Sequence, residues 1–163
     1  MKRVLTIIDL QKEYLDYLTA GGQGRIRDKM MAYVYTLLQT QKYDLIINVS
    51  YFDELGRTTD TKLKKLLKGI RNVVYVSKDD NDGSQQILVT LYQKSVRLKD
   101  CKLEMVGVFG SLCVYDTIDG LWQSGTGIAK NIYLHKNGVA SDCQSAQRKA
   151  LKMAEENFNI NIV

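Results

Sequence analysis

The sequence predicts an α/β protein in which six strands form a mostly parallel sheet covered by helices on both faces. Short apolar runs alternate with amphipathic segments along all 163 residues, and no linker or low-complexity tract interrupts them. Parallel strands require helical crossovers, and these crossovers bury the sheet on both faces. We therefore expect a single domain spanning residues 1–163.

Each predicted strand is a short apolar run bounded by polar or turn-forming residues. The six runs are Val4–Asp9, Asp44–Ser50, Asn72–Ser77, Leu103–Val108, Asn131–His135 and Ile160–Val163. Apolar residues at helical spacing between them predict helices over Arg25–Gln41, Thr58–Ile70, Ser84–Leu98, Val114–Gln123 and Asp142–Asn157. Thr59 or Asp60 is a candidate cap for the second helix.

Composition restricts the class of function. The chain is 45% hydrophobic and 25% charged, which is typical of a soluble globular protein, and no apolar run approaches the roughly 20 residues of a membrane span. The net charge of +5 comes from scattered basic residues whose groups suit solvated helix faces. We therefore expect neither a nucleic-acid nor a membrane partner. The N-terminus lacks a signal-peptide cleavage site, so a cytoplasmic location is expected.

Cysteine and histidine usage excludes further chemistry. Cys101, Cys113 and Cys143 are widely spaced and odd in number, which suggests neither a disulfide framework nor a zinc ribbon. His135 is the single histidine, so a histidine-rich zinc site is impossible and a Cys–His pair would have to use it.

Three chemically active residues fall at the ends of three predicted strands. Asp9 ends the first strand, Lys78 follows the third, and Cys113 follows the fourth on a turn that leads into a helix. Because parallel strands end at one edge of the sheet, these side chains can converge. A carboxylate could take the thiol proton, and a lysine could stabilise both anions. The helix start near Cys113 also favours its thiolate.

Each of these residues has an ordinary structural explanation when taken alone. An aspartate at a strand end commonly forms a turn or caps a helix, and a lone cysteine is commonly a small core residue. Lys78 would then be a surface residue. Their joint placement at three strand ends favours the catalytic interpretation.

Two motifs resemble those of the isochorismatase-like cysteine hydrolases. Leu5–Tyr14 resembles the opening motif of that family, with an apolar strand, Asp9, Gln11, an acidic residue and an aromatic residue. Gly107–Val114, followed by Thr117, resembles its cysteine motif, and Val76–Lys78 resembles the segment that carries its lysine. The resemblance implies a Rossmann-like, three-layer α/β/α fold.

The resemblance also implies roles for the residues. Asp9 would accept and later donate a proton, Lys78 would be its electrostatic partner, and Cys113 would be the nucleophile. The family has a cis peptide that would fall at Val108–Phe109 and would aim the N–H groups of Phe109 and Cys113 at an oxyanion. In the amidase branch of the family, a thioester forms, an amine leaves, and water releases the acid.

The chain departs from the family pattern in ways that bear on metal and substrate binding. Nicotinamidases of the family carry a metal held by an aspartate and histidines after the second strand, whereas residues 50–57 here contain no histidine. We therefore predict no metal and no other cofactor. Gln11, Tyr14, Tyr51 and Phe52 are the candidate substrate-binding residues. A homo-oligomer is expected because oligomers are common among such enzymes. The chain is also short for the family, so its substrate-covering loops are expected to be either trimmed or supplied by a neighbouring subunit.

The sequence therefore predicts a cysteine hydrolase that cleaves a C–N bond in a small amide. A non-catalytic member that binds a small ligand or a protein stays open, because Gly110-Ser111 stands where relatives often have Thr-Asp. Hydrolysis of an isochorismate-type vinyl ether is a third possibility. Substrate identity lies in the loops and cannot be predicted from the fold.

Overall fold

The computed structural model describes residues 1–53, 56–124 and 129–163. Along the chain the strands and α-helices are β1 (Lys2–Ile8), α1 (Lys12–Leu18), α2 (Gly24–Thr40), β2 (Leu45–Tyr51), α3 (Thr61–Lys68), β3 (Val73–Lys78), α4 (Ser84–Gln93), β4 (Cys101–Val108), α5 (Cys113–Gln123), β5 (Ile132–Ala140), α6 (Gln144–Phe158) and β6 (Asn161–Ile162). All five strand pairings are parallel, and the strand order is β3-β2-β1-β4-β5-β6. The predicted α/β class and six-stranded sheet are confirmed.

The sheet separates two apolar cores. One contains inward residues of α1, α2 and α3, and the other contains those of α4, α5 and α6. β1 is buried from both sides, with Val4, Leu5, Ile7 and Ile8 all inaccessible to solvent. This burial explains the continuous apolar run at the start of the sequence, because a central parallel strand has no solvent face.

The strand order places the topological switch point of the sheet between β1 and β4. From β1 the chain builds outward through β2 and β3, then crosses back to β4 on the other side of β1. Where the winding direction reverses, the loops after the two strands diverge and leave a crevice at their carboxyl ends. Asp9 follows β1 at this point, and Cys113 begins the helix after β4.

Several predicted boundaries are wrong, and one helix was missed. The predicted helix Ser84–Leu98 ends at Gln93, before a 3₁₀ turn over Leu98–Asp100. The fifth strand continues past His135 to Ala140. The missed helix is α1, which joins α2 through a π-helical turn over Thr19–Gln23 in which Gly22 has φ +78°. The glycine in this left-handed conformation marks a kink between the two helices.

Asp60 caps α3, as one of the two predicted candidates. Its Oδ1 accepts a hydrogen bond from Leu63 N at 2.8 Å and another from the Tyr35 hydroxyl at 2.8 Å. Within the described ranges, no helix combines the length and apolar character needed to cross a membrane.

Candidate active site

Asp9 is held in an unusual backbone conformation directly after β1. Its φ of +54° is left-handed, which is uncommon for a residue other than glycine. The Asp9 N–H donates to Val49 O at 2.9 Å, and its carbonyl accepts from Gln11 N at 2.7 Å. These bonds fix the turn and direct a fully buried carboxylate along the sheet edge.

Lys78 is the last residue of β3 and reaches back over β2 to Asp9. Its Nζ lies 2.9 Å from Asp9 Oδ2, and neither side chain is exposed to solvent. The lysine stem passes beneath Gly83, where an added Cβ would lie 3.5 Å from Lys78 Cδ and 3.0 Å from Val49 Cγ1. The missing side chain at Gly83 therefore leaves space for the stem. Nζ also donates to the Asn81 carbonyl at 2.7 Å.

Cys113 begins α5 with a side chain that is 7% exposed. Its thiol interacts with both Asp9 and Lys78, and it donates to Asn81 Oδ1 at 3.6 Å. The Thr117 hydroxyl donates to the Cys113 carbonyl at 2.7 Å and accepts from Gly83 N at 2.9 Å. Thr117 thus ties the cysteine turn to the loop before α4. The structure brings all three predicted catalytic residues together.

Burial controls the protonation of this cluster. Desolvation, followed by the charge of Asp9, raises the pKa of the Cys113 thiol to about 12 although Lys78 opposes the shift. Desolvation also raises the pKa of Asp9 above its ordinary value, against the opposing charge of Lys78. Burial therefore favours the protonated thiol, against the thiolate preference expected from the helix start. A helix dipole supplies only about 0.3–1 kcal/mol, whereas full burial shifts a pKa by up to several units.

The turn from Phe109 to Leu112 positions the cysteine without a cis peptide. Among the described residues no peptide bond is cis, so the expectation at Val108–Phe109 is wrong. Phe109 instead has φ +54°, and this left-handed residue redirects the chain. The Phe109 carbonyl accepts from Leu112 N at 2.9 Å and from Val114 N at 3.3 Å.

The remaining N–H groups of this turn differ in their hydrogen bonding. Gly110 N donates to Ala140 O, and Ser111 N donates to Ser141 Oγ, each at 3.3 Å. Within the described part of the chain, we find no acceptor for the N–H of Phe109 or of Cys113. These are the two groups that the resemblance assigns to an oxyanion.

The aromatic candidates border the site on two sides. The Tyr14 ring meets the Phe109 ring edge-on at 5.2 Å between centroids, and burial followed by the charge of Asp9 raises the pKa of Tyr14 to about 12. Tyr51 lies on the lysine side, with its ring centroid 5.9 Å from Lys78 Nζ and 4.5 Å from the Phe52 ring. Phe52 is 71% exposed. Substrate binding by these residues stays a prediction.

Gln11 braces the site. Its Oε1 accepts from Tyr51 N at 2.8 Å, and its Nε2 donates to Tyr51 O at 3.1 Å and to Thr58 Oγ1 at 2.7 Å. The side chain is 3% exposed and joins the end of β1 to the end of β2. Contact between Gln11 and a substrate stays a prediction. The hydrogen bonds to Tyr51 and Thr58 already explain why a glutamine stands at this position.

The described residues that directly follow β2 include no histidine for a nicotinamidase-type metal. Asp53 Oδ2 accepts from Thr58 N at 2.6 Å and from the Thr58 hydroxyl at 2.8 Å. The single histidine lies elsewhere, with His135 Nδ1 2.8 Å from the Tyr33 hydroxyl and its Nε2 2.9 Å from Glu104. Among the described residues, no three His, Cys, Asp or Glu side chains form a group able to hold a metal ion. No histidine is therefore available for that site.

Asn81 is the site residue that the sequence did not predict. It touches both Lys78 and Cys113 from the loop between β3 and α4. The Asp79–Gly83 segment reads as an acidic turn before a helix, and nothing in its composition indicates that the turn folds over the cysteine. Only the close packing of this loop on α5, through Gly83 and Thr117, reveals the contact.

The fold and this strand-end cluster define an α/β protein with a buried Asp–Lys–Cys group, and solved structures of known proteins share its fold. The nicotinamidase of Staphylococcus aureus has 20% identity and a TM-score of 0.69, covering 100% of this chain and 99% of its own. An isochorismatase-like hydrolase from Alkaliphilus metalliredigens has 14% identity and a TM-score of 0.66, covering 100% and 94%. The MAR1 ribonuclease of Caenorhabditis elegans has 17% identity and a TM-score of 0.69, covering 98% and 75%.

These similarities establish the fold, which is that of the isochorismatase-like hydrolases and nicotinamidases, as the sequence resemblance implied. No family model matches the chain, and neither does any curated protein. Because structures with different named activities share this fold, function has to be argued from the site itself.

Proposed function

We propose that this protein is a cysteine hydrolase that cleaves the C–N bond of a small amide through Asp9, Lys78 and Cys113. The observation that carries the proposal is the fully buried Asp9–Lys78 ion pair beside the Cys113 thiol. Burying an ion pair costs desolvation energy, and apolar residues at the same positions would stabilise the fold equally well or better. A role in proton transfer at a site shielded from solvent explains why the pair is present.

In the first step, the Cys113 thiol transfers its proton to Asp9 as the sulfur attacks the amide carbonyl. The S–C bond forms while the carbonyl π electrons move to oxygen. The N–H groups of Phe109 and Cys113 are the proposed donors to this oxyanion. The proton transfer conserves the charge of the buried cluster, because Lys78 first neutralises the carboxylate and then the developing anion on sulfur or oxygen. Lys78 therefore lowers the cost of a step that the raised thiol pKa makes unfavourable.

In the second step, Asp9 returns the proton to the departing nitrogen. The C–N bond breaks, an amine or ammonia leaves, and the acyl group remains on Cys113 as a thioester. Asp9 is then a carboxylate again. It takes a proton from a water molecule while the oxygen of that water attacks the thioester carbonyl. The S–C bond then breaks, the carboxylic acid departs, and the sulfur takes the proton back from Asp9.

The deciding experiment incubates the protein with a panel of small amides and measures release of the acid and the amine. The wild-type protein is expected to hydrolyse at least one amide, and Cys113→Ala is expected to lose that turnover while its circular dichroism and unfolding transition stay native. A Cys101→Ser variant is the matched control, because Cys101 is buried at the opposite end of β4. Turnover that survives Cys113→Ala would contradict the proposal. An isochorismate-type vinyl ether belongs in the panel, since its cleavage without amide hydrolysis would favour the other reaction of this fold family.

A further inference from the structure

We propose that Asn81 is a positioning residue of this site, whose carbonyl holds the Lys78 ammonium and whose side-chain oxygen accepts the Cys113 thiol proton. The inference rests on the proposed function for its catalytic meaning. It concerns a residue to which the family motifs assign no role.

The backbone half of the contact completes the coordination of Lys78. The Lys78 ammonium has no solvent access, so each of its protons needs an acceptor within the protein. Asp9 Oδ2 supplies one at 2.9 Å, and the Asn81 carbonyl supplies another at 2.7 Å. These two oxygens fix the position of Nζ relative to the sulfur.

The side-chain half of the contact has a defined orientation. Asn81 Oδ1 faces Cys113, where it accepts the S–H at 3.6 Å. Burial raises the pKa of the nearby Asp116 carboxyl, and the Asn81 side chain opposes that rise. An amide that places its oxygen toward the thiol leaves its NH₂ group free to donate elsewhere, and a carboxylate is an acceptor for it.

The loop that carries Asn81 is anchored on both sides. Asp82 N donates to Asp80 Oδ1, and Ser84 N donates to Asp82 Oδ1, each at 2.7 Å. Gly83 N donates to Thr117 Oγ1 at 2.9 Å, and Thr117 lies one helical turn after the cysteine. Asn81 is therefore held against the sulfur although its own surface is largely exposed.

This orientation stabilises the resting thiol. An oxygen acceptor favours the protonated form, because it gains a hydrogen bond from S–H and faces a thiolate with its lone pairs. Replacing the amide by a carboxylate should disfavour the thiolate further. Removing the acceptor should favour the thiolate. The two substitutions should therefore change the reactivity of Cys113 in opposite directions, which a merely structural role would not produce.

The test measures the rate of Cys113 alkylation by iodoacetamide between pH 7.5 and 9 by peptide mass spectrometry, which separates it from Cys101 and Cys143. Below the thiol pKa, a shift of roughly half to one unit changes the thiolate fraction about three- to tenfold. Asn81→Asp should lower the alkylation rate of Cys113 by that factor at every pH, and Asn81→Ala should raise this rate. The exposed Cys143, measured in the same sample, is the internal reference.

Asn157→Asp is the matched control, since it makes the same amide-to-carboxylate change on an exposed position of α6. It should leave the Cys113 rate unchanged. Asp116→Asn gives a second, independent variant, which should accelerate alkylation because it removes a nearby negative charge that disfavours the thiolate.

The inference is overturned if Asn81→Asp and Asn81→Ala shift the rate in the same direction, or if both remain within twofold of wild type. Alkylation needs no substrate, so this result is separate from the amide assay. Opposite shifts in a protein that hydrolyses no amide would keep the inference and reject the proposed function.

Discussion

At the scale of single residues, the central feature is a lysine and an aspartate that form an ion pair with both side chains fully buried. Desolvation destabilises each charge alone, and the 2.9 Å contact between them compensates for that cost. The Asp9 carboxylate also interacts with the Cys113 thiol and with the Tyr51 backbone. It therefore lies between the lysine and the thiol, as a proton acceptor requires.

Removing only the cation should destabilise the protein. We expect Lys78→Met to lower the free energy of unfolding at pH 7 by about 3–5 kcal/mol, because it leaves Asp9 buried without its partner. Urea unfolding followed by circular dichroism measures this change. The double variant Asp9→Asn/Lys78→Met should recover a large part of the loss.

Lys152→Met is the control for the Lys78 substitution. Lys152 forms an exposed pair with Glu156 at 3.6 Å, and such surface pairs contribute less than about 1 kcal/mol. If Lys78→Met costs no more than Lys152→Met, the buried pair does not behave as described.

At the scale of secondary-structure elements, the sequence predicted the strands better than their surroundings. The strand ends that carry Asp9, Lys78 and Cys113 follow from apolar runs with clear limits, because a buried strand must stop where polar residues begin. Helix α1 was missed because its seven residues carry only two buried leucines, Leu15 and Leu18. So short a segment gives little periodicity, and its stability comes from packing.

The cysteine turn shows what sequence patterns cannot provide. The motif placed Cys113 at a helix start, but the trans peptide before Phe109 and the contact with Asn81 depend on how separate loops pack. The protonation state of the thiol likewise depends on burial, which is a property of the folded protein. The sequence therefore predicted which residues lie at the strand ends. It did not predict the protonation state of the Cys113 thiol or its contact with Asn81.

Close contact between β1 and β4 gives a prediction at this scale. A Cβ added at Gly107 would lie 2.8 Å from Ile8 Cβ and would also contact the Ile8 carbonyl. We expect Gly107→Ala to destabilise the protein by roughly 1–3 kcal/mol, since overpacking between two central strands forces the backbone to move. Thermal or urea unfolding measures the loss.

Gly21→Ala is the comparison, because a Cβ at Gly21 would meet nothing within 4 Å. That substitution should change stability by less than about 0.5 kcal/mol. Equal effects at the two glycines would show that the β1–β4 contact is not limiting.

At the scale of the whole molecule, Glu104 links distant parts of the fold. Its Oε1 accepts from Arg3 Nε at 2.8 Å, and its Oε2 lies 2.9 Å from His135 Nε2 and 3.3 Å from the Tyr43 hydroxyl. Burial alone would raise the pKa of Glu104, but hydrogen bonds from His135 and Arg3 and the charge of Lys102 outweigh it and lower the pKa to about 2. The carboxylate thus joins β1, β4, β5 and the chain before β2.

This lowered pKa predicts how stability depends on pH. A carboxyl whose folded pKa lies below its unfolded value contributes stability above the unfolded pKa and loses it as pH falls through the folded pKa. Glu104 should therefore stabilise the fold above about pH 5, and roughly 2–3 kcal/mol should be lost between about pH 5 and pH 2. Glu104→Gln should flatten the free energy of unfolding over that range.

Glu156→Gln is the control for this pH dependence. Glu156 is exposed, and among the described residues its ion-pair partner is Lys152, in the same helix. The variant should keep the wild-type slope. A Glu104→Gln protein with an unchanged acid slope would disprove the role assigned to Glu104.

The most direct test of the hydrolase proposal is rapid-quench mass spectrometry of the wild-type protein with an amide that it turns over. We expect a transient mass increase equal to the acyl group, located on the Cys113 peptide and sensitive to hydroxylamine as a thioester is. The adduct should form before the acid is released and should be absent from Cys113→Ala. Acid release with no adduct on Cys113 at any quench time, or an adduct on Cys101 or Cys143 instead, would contradict the account.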